Sequence, residues 1–311
     1  MIAYDLIGQT PLVLLESFSD ENVKIYAKLE QFNPGGSIKD RLGKYLIEKA
    51  IDEGRLKEGD TIVEATAGNT GIGLAIASNR HKVKCIIFAP EGFAEEKISI
   101  MKALGADVRR TPKVEGMTGA QQEALAYATR YGYLYMNQFE TKDNPGAYTQ
   151  TLAKQLTDEL SHIDYFVAGV GSGGTFTGVA QHLKTYDVKN YIVEPEGSVL
   201  NGGVSHPHAT EGIGSEKWPS FLEKELVDDD YLLIQFRDLI NGLKGELGNH
   251  KKQRDELIDD MAEVKRKAKA FDEIDDLIVN GTLKDREPNA IFQNICHVII
   301  NLKERGSDVE D

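Results

Sequence analysis

The chain has 311 residues, 41% of them apolar, with 36 Lys and Arg against 50 Asp and Glu for a formal net charge of −14. That length supports two ordinary domains with real cores, and the acidity argues against nucleic acid or an anionic membrane as a bulk partner. Cys85 and Cys296 give neither a disulfide framework nor metal-ligand spacing, and no run is long and apolar enough to span a membrane, so the expectation is a soluble, cytoplasmic protein without a metal.

In chain order, the first strand pattern is "VKIYAKL" (23–29), followed by "NPGGSIKDR" (33–41). Gly35 and Gly36 permit close approach or positive φ, and Ser37 is a good helix N-cap. Beyond it Ile38, Leu42, Leu46, Ile47 and Ala50 recur at helical spacing. Lys39 therefore falls in a first helical turn, where the helix dipole disfavours a cation. Strand patterns then alternate with helical ones. The strands are "TIVEA" (61–65), "KCIIFAP" (84–90), "ADVRRT" (106–111), "YLYMN" (133–137), "DYFVAGV" (164–170) and "NYIVEP" (190–195). The helices are "TGIGLAIASNR" (70–80), "AEEKISIMKALG" (94–105), "GAQQEALAYATRYG" (119–132) and "AYTQTLAKQLTDEL" (147–160). Such alternation implies βαβ units and a mostly parallel sheet.

After Asp230 the composition changes. Residues 231–311 hold only 5 of the 30 glycines but 13 Lys/Arg and 17 Asp/Glu. Three stretches there read as helices: 231–247, 250–279 and 288–305. In the middle one, Leu257, Met261, Val264, Ala268 and Phe271 form a short amphipathic stripe.

Three glycine-rich loops sit where a strand hands over to a helix. "GVGSGGTFTG" (169–178) looks like a phosphate cup, with Gly171, Ser172, Gly173, Gly174 and Thr175 offering backbone N–H groups and two hydroxyls at a helix start. The same stretch matches G-x-G-x-x-G at Gly169, Gly171 and Gly174, with Glu194 about 20 residues further on, so a dinucleotide-binding oxidoreductase is an alternative. Lys39 separates the two readings. A dinucleotide site has no use for a lysine on a glycine-rich helix start, whereas pyridoxal phosphate needs one to form a Schiff base. A positive helix end favours the neutral amine, the form that attacks an aldehyde. His206 and His208 form an H-x-H, but two ligands in a proline-containing loop fall short of a metal site. Cys85 and Cys296 lie in apolar stretches and read as core, and Trp218 and Phe221 are expected to pack under the loop that follows Gly214.

"NPGGSIKDR", "TAGNTGIGLA", "GSGGTFTG" and "EPEGS…EGIG" resemble the fold-type II pyridoxal-phosphate enzymes of the cysteine synthase and cystathionine β-synthase group, over about residues 4–229. "EPEGSVLNGG" with "HPHATEGIGSEKWP" most resembles the bacterial O-acetylserine-dependent cystathionine β-synthases. The resemblance implies an α/β, two-domain architecture of parallel twisted sheets. Residues 1–36 and 140–230 would form a large cofactor-binding domain and 37–139 a small one. It implies that Lys39 is the Schiff-base lysine, that Asn69 faces the cofactor's phenolic oxygen, and that Gly171 to Thr175 hold its phosphate. Thr66, Ala67, Gly68, Asn69 and Thr70 would grip the substrate carboxylate together with Gln138, while Gly212, Ile213 and Gly214 match a mobile loop near the substrate amine. Ala67 stands where cysteine synthases commonly have serine, which leans toward the cystathionine branch.

The implied activity is β-replacement on O-acetylserine by a thiol, giving cystathionine from homocysteine or cysteine from sulfide, in a homodimer. The alternatives are a cysteine synthase proper and a catalytically impaired descendant with an interaction tail. The family continues with a strand-rich segment carrying "G-L-L-x-G-x-S-S-G-A", whose serine partners the pyridine nitrogen. Residues 231–311 lack that run, so the large domain is expected to miss its C-terminal strands and to end in a helical tail.

Overall fold

The computed structural model describes residues 2–228 apart from positions 94, 196, 201, 203, 207 and 209, together with 233–235 and 297–302. The chain opens with strands β1 (Leu12–Leu14) and β2 (Val23–Lys28), then helix α1 (Lys39–Asp52). Next come β3 (Thr61–Ala65), α2 (Asn69–Arg80), β4 (Lys84–Pro90), α3 (Glu95–Ala103), β5 (Asp107–Thr111), α4 (Gly116–Tyr131) and β6 (Leu134–Tyr135). A helical segment follows as α5 (Asp143–Tyr148), a π turn (Thr149–Ala153) and α6 (Lys154–Glu159). The described chain continues with β7 (Tyr165–Gly169), α7 (Gly174–Leu183), β8 (Lys189–Glu194), β9 (Leu233–Gln235) and β10 (His297–Leu302).

Four strands make a parallel sheet in the order β5-β4-β3-β6, and six make a mixed sheet in the order β1-β2-β10-β7-β8-β9. Every residue of β3 is buried, as is β4 after Lys84. Covering both faces of a parallel sheet demands that, and it explains why these stretches read as unbroken apolar runs. The expected strands and helices before residue 195 all form, with ends shifted by a few residues. The short strand β1 was not expected: the continuous run "LVLL" shows no alternation to betray it.

The tail corrects the expectation of helix wherever it is described. Leu233–Gln235 pairs in parallel with β8, and His297–Leu302 lies antiparallel between β2 and β7. Two short segments of the tail thus take part in the six-stranded sheet as described. "HVIINL" is a short, β-branched apolar run, which suits a central strand better than a helix. Its apolar positions also fit a helical face, and periodicity alone does not separate the two. The rest of the expected helical tail, including the stripe from Leu257 to Phe271 and Cys296, lies outside the described residues.

Two helix crossings place the site. Helices α1 and α2 meet backbone to backbone: a Cβ on Gly43 would strike Gly73, and one on Gly73 would strike the Lys39 carbonyl. The start of α1 is thereby pressed onto α2, while Ile38, Leu42, Leu46, Ile47 and Ala50 bury in the core as their spacing foretells. Helices α5 and α7 cross equally closely, with Gly174 against the Asn144 side chain and Gly178 against the Pro145 carbonyl.

Candidate active site

The segment before α1 is built to hold Lys39 in one place. Ser37 Oγ accepts the Lys39 N–H at 3.2 Å, from one position before the N-cap, which Ile38 occupies. Gly36 takes φ +77°, and Asp40 folds back to accept the Gly35 N–H. Only glycine fits at 35, since a Cβ there would meet the Asp40 carboxylate. Burial pushes the Asp40 carboxyl up to about 7, opposed by the Gly35 N–H bond and reinforced by Glu30 nearby. Arg41 secures the next residue: its guanidinium donates to both Glu30 oxygens at 2.7 and 2.9 Å and to Thr10, the Gly8 carbonyl and Gln155. Arg41 and Glu30 side chains are each 1% exposed, so this is a fully desolvated pair, bonded through Arg41 Nε and Nη2 while Nη1 is buried without a partner.

So fixed, Lys39 Nζ lies 3.4 Å from Ser172 Oγ and 5.9 Å from the centre of the Tyr148 ring. Ser172 belongs to the turn between β7 and α7. There Gly173 takes φ +86°, and the amides of the first helical turn have no intrahelical acceptor. Ser172 and Thr175 are 9% and 7% exposed. The turn is walled on one side by the 212–214 loop, because a Cβ on Gly171 would strike the Gly212 carbonyl and Gly214 N–H donates to Val170 O at 2.8 Å. On the other side Pro219 and Phe221 approach Gly173, so Phe221 packs against the cup itself. His208 is bonded through Nδ1 to Thr210 Oγ1 at 2.9 Å.

The third part is the turn from β3 into α2. Thr66 Oγ1 accepts the Gly68 N–H at 3.1 Å, Ala67 is buried, and Asn69 opens α2. Thr70 Oγ1 donates to Gln138 Oε1 at 2.6 Å, which brings together two residues 68 positions apart. Gln138 is held further by Glu64, whose Oε2 accepts its N–H at 3.0 Å, and by Asn144, whose Nδ2 donates to its carbonyl at 2.6 Å. Glu64 is fully buried, and burial pushes its carboxyl up to about 7 against the two N–H bonds it accepts. Sequence reasoning missed Glu64, Asn144 and Tyr148. A lone acid in "TIVEA" was the signal for the first, and Asn-Pro at a helix start for the second.

Glu194, the acid of the dinucleotide fingerprint, is 1% exposed and accepts the Leu200 N–H at 3.2 Å. The architecture thus defines an α/β protein that presents an amine beside a glycine-rich helix start, at the ends of parallel strands. The family model described as "Pyridoxal-phosphate dependent enzyme" matches residues 3–236, and the chain belongs to that family. Over 232 residues it is 50% identical to the O-acetylserine dependent cystathionine β-synthase of Bacillus subtilis, covering 73% of this chain and 76% of that one. It is 48% identical over 235 residues to a cysteine synthase of Helicobacter pylori, covering 72% and 76%. Among solved structures, the O-acetylserine dependent cystathionine β-synthase of Helicobacter pylori superposes with a TM-score of 0.70 at 45% identity, over 76% of this chain and 80% of that one. The cysteine synthase of Entamoeba histolytica gives 0.70 at 36%, over 76% and 73%.

The residues present fit pyridoxal phosphate: an amine and a set of helix-start donors stand side by side, and no described carbonyl or carboxylate takes the Ser172 hydroxyl proton. This family membership removes the dinucleotide alternative. Among the described residues no helix is long and apolar enough to cross a membrane.

Proposed function

We propose that this enzyme carries out β-replacement on O-acetylserine, exchanging acetate for a thiol, with homocysteine preferred over sulfide. The observation that carries the reading is the meeting of three parts: Lys39 Nζ, the cup at Gly171 to Thr175, and the Thr66–Thr70 turn tied to Gln138. Bound pyridoxal phosphate supplies the electron sink that makes a substrate Cα–H acidic and lets a β-substituent leave. The chain's own residues do the rest. Gly171, Ser172, Gly173, Gly174 and Thr175 hold the phosphate through helix-start amides and two hydroxyls. Asn69 would hold the cofactor's phenolic oxygen. Thr66, Ala67, Gly68, Asn69 and Thr70 with Gln138 would bind the substrate carboxylate and so fix which bond at Cα is presented to Lys39. Lys39 Nζ takes the proton from Cα and returns it after the thiol sulfur has replaced acetate at Cβ. The loop of Gly212, Ile213 and Gly214 closes the amine side. Residues 1–36 and 140–230, with the strands β9 and β10 in their sheet, serve as the large domain and 37–139 as the small one, in a homodimer.

Ala67 and the similarity to O-acetylserine dependent cystathionine β-synthases support homocysteine as acceptor. The 48% identity to a cysteine synthase keeps sulfide as the second reading. Competing the two thiols at saturating O-acetylserine decides between them: kcat/KM is expected to be higher for homocysteine, and the reverse order assigns the chain to sulfide.

A further inference from the structure

Asn144 carries none of the roles above, yet its side chain is the hinge of the site's hydrogen bonding. It is 0% exposed at the start of α5. Its orientation is fixed by chemistry: the atom 2.6 Å from the Gln138 carbonyl oxygen must be the amide nitrogen, because that oxygen only accepts. The same Nδ2 donates to Ser172 Oγ at 3.3 Å. Its Oδ1, on the far side, has no partner and lies against Gly174, where any Cβ would strike it. So the amide cannot turn over without placing an acceptor against the Gln138 carbonyl, and Gly174 is the residue that admits it.

The consequence falls on Ser172. A hydroxyl has two lone pairs and one proton. Asn144 Nδ2 donates to Ser172 Oγ, so one lone pair is taken and the hydroxyl proton is turned away from the amide. No described carbonyl or carboxylate receives it. A hydroxyl held in this way is oriented to donate, and the helix-start amides beside it are where an anion would accept.

We propose that Asn144 is a positioning residue that fixes the Ser172 hydroxyl as a donor to the cofactor phosphate, itself held in orientation by the Gln138 carbonyl. This rests on the reading that Gly171 to Thr175 hold that phosphate. Without Asn144 the hydroxyl rotates freely and donates to the phosphate only part of the time.

A double-mutant cycle read by cofactor affinity tests it, using the apoprotein titrated with pyridoxal phosphate. Trp218, the one tryptophan of the chain, lies beside the Pro219–Phe221 wall of the cup and serves as the fluorescent probe. Asn144→Ala and Ser172→Ala are each expected to weaken binding about 10-fold, the scale of one charge-assisted hydrogen bond. The double variant is expected to be no weaker than about 10-fold, because Asn144 acts only through a hydroxyl that is already gone. Additive losses, about 100-fold together, would show that Asn144 merely packs the helix crossing and would overturn the proposal. If Ser172→Ala leaves affinity unchanged, the phosphate reading of Ser172 fails and the proposal with it. Should Asn144→Ala not fold by circular dichroism, Asn144→Leu fills the same volume without a donor and enters the same cycle with the same expectations.

Discussion

Lys39 is the residue on which the proposed chemistry turns. Lys39→Ala is expected to abolish borohydride-trappable cofactor and β-replacement while far-UV circular dichroism stays native; a reducible linkage at another lysine would falsify the assignment. Two residues along, Arg41 sits in a desolvated pair with Glu30. Arg41→Leu strands a buried carboxylate and is expected to cost about 3–5 kcal/mol in urea unfolding, whereas an exposed pair such as Lys82–Glu58 should matter by under ~1 kcal/mol. Between them, Asp40 and its distant counterpart Glu64 make stability depend on pH. Both carboxyls sit at about 7 because burial penalises the anion. The folded chain therefore keeps protons that the unfolded chain releases near pH 4. Their contribution is complete below about 4, declines as pH rises toward 7 by ~1.4 kcal/mol per unit for each group, and is gone above. Unfolding midpoints between pH 5 and 8 should fall accordingly, and Asp40→Asn should flatten the decline. An unchanged slope in that variant would show that Asp40 does not titrate in this range.

At the scale of elements, α1 and α2 are held by glycine against glycine, and this contact sets Lys39 against the turn that carries Asn69 and Thr70. Gly73→Ala forces a methyl into the Lys39 carbonyl and is expected to cost about 1–3 kcal/mol, with weakened cofactor binding in an absorbance titration. A variant with native affinity and stability would mean that the crossing has slack. The elements also show what the sequence made legible. Helix α1 could be read whole because its period, its preceding serine and its glycine turn are all local. The glycine run at 169–178 was legible for the same reason, as a turn between a strand and a helix. Asn144 and Glu64 were not, because their partners Ser172 and Gln138 lie 28 and 74 residues away and only the folded chain brings them together. The strand at His297–Leu302 was missed because a six-residue apolar run satisfies both periods. Its β-branched content was the cue that should have decided it.

For the whole molecule, the six-stranded sheet depends on β10, which alone joins β2 to β7. Ile300 is in register with Ile25 on one side and Tyr165 on the other. Ile300→Pro removes a ladder N–H in a central strand and is expected to cost upwards of about 3 kcal/mol and to abolish tight cofactor binding, read by calorimetry and by absorbance titration. A soluble variant with normal cofactor affinity would show that the sheet holds without this strand. The position of β10 also sets a timetable for synthesis. At 5–20 residues per second, the ribosome needs ~15–50 s after Lys28 before His297 appears. Late in that interval β2 still has one edge open, beside a chain that already contains Lys39, Gln138 and the glycine run at 169–178. A nascent or prematurely terminated chain therefore carries these residues on a sheet that is not yet joined. Its exposed strand edges would make it a client for chaperones or a seed for aggregation until the last strand arrives.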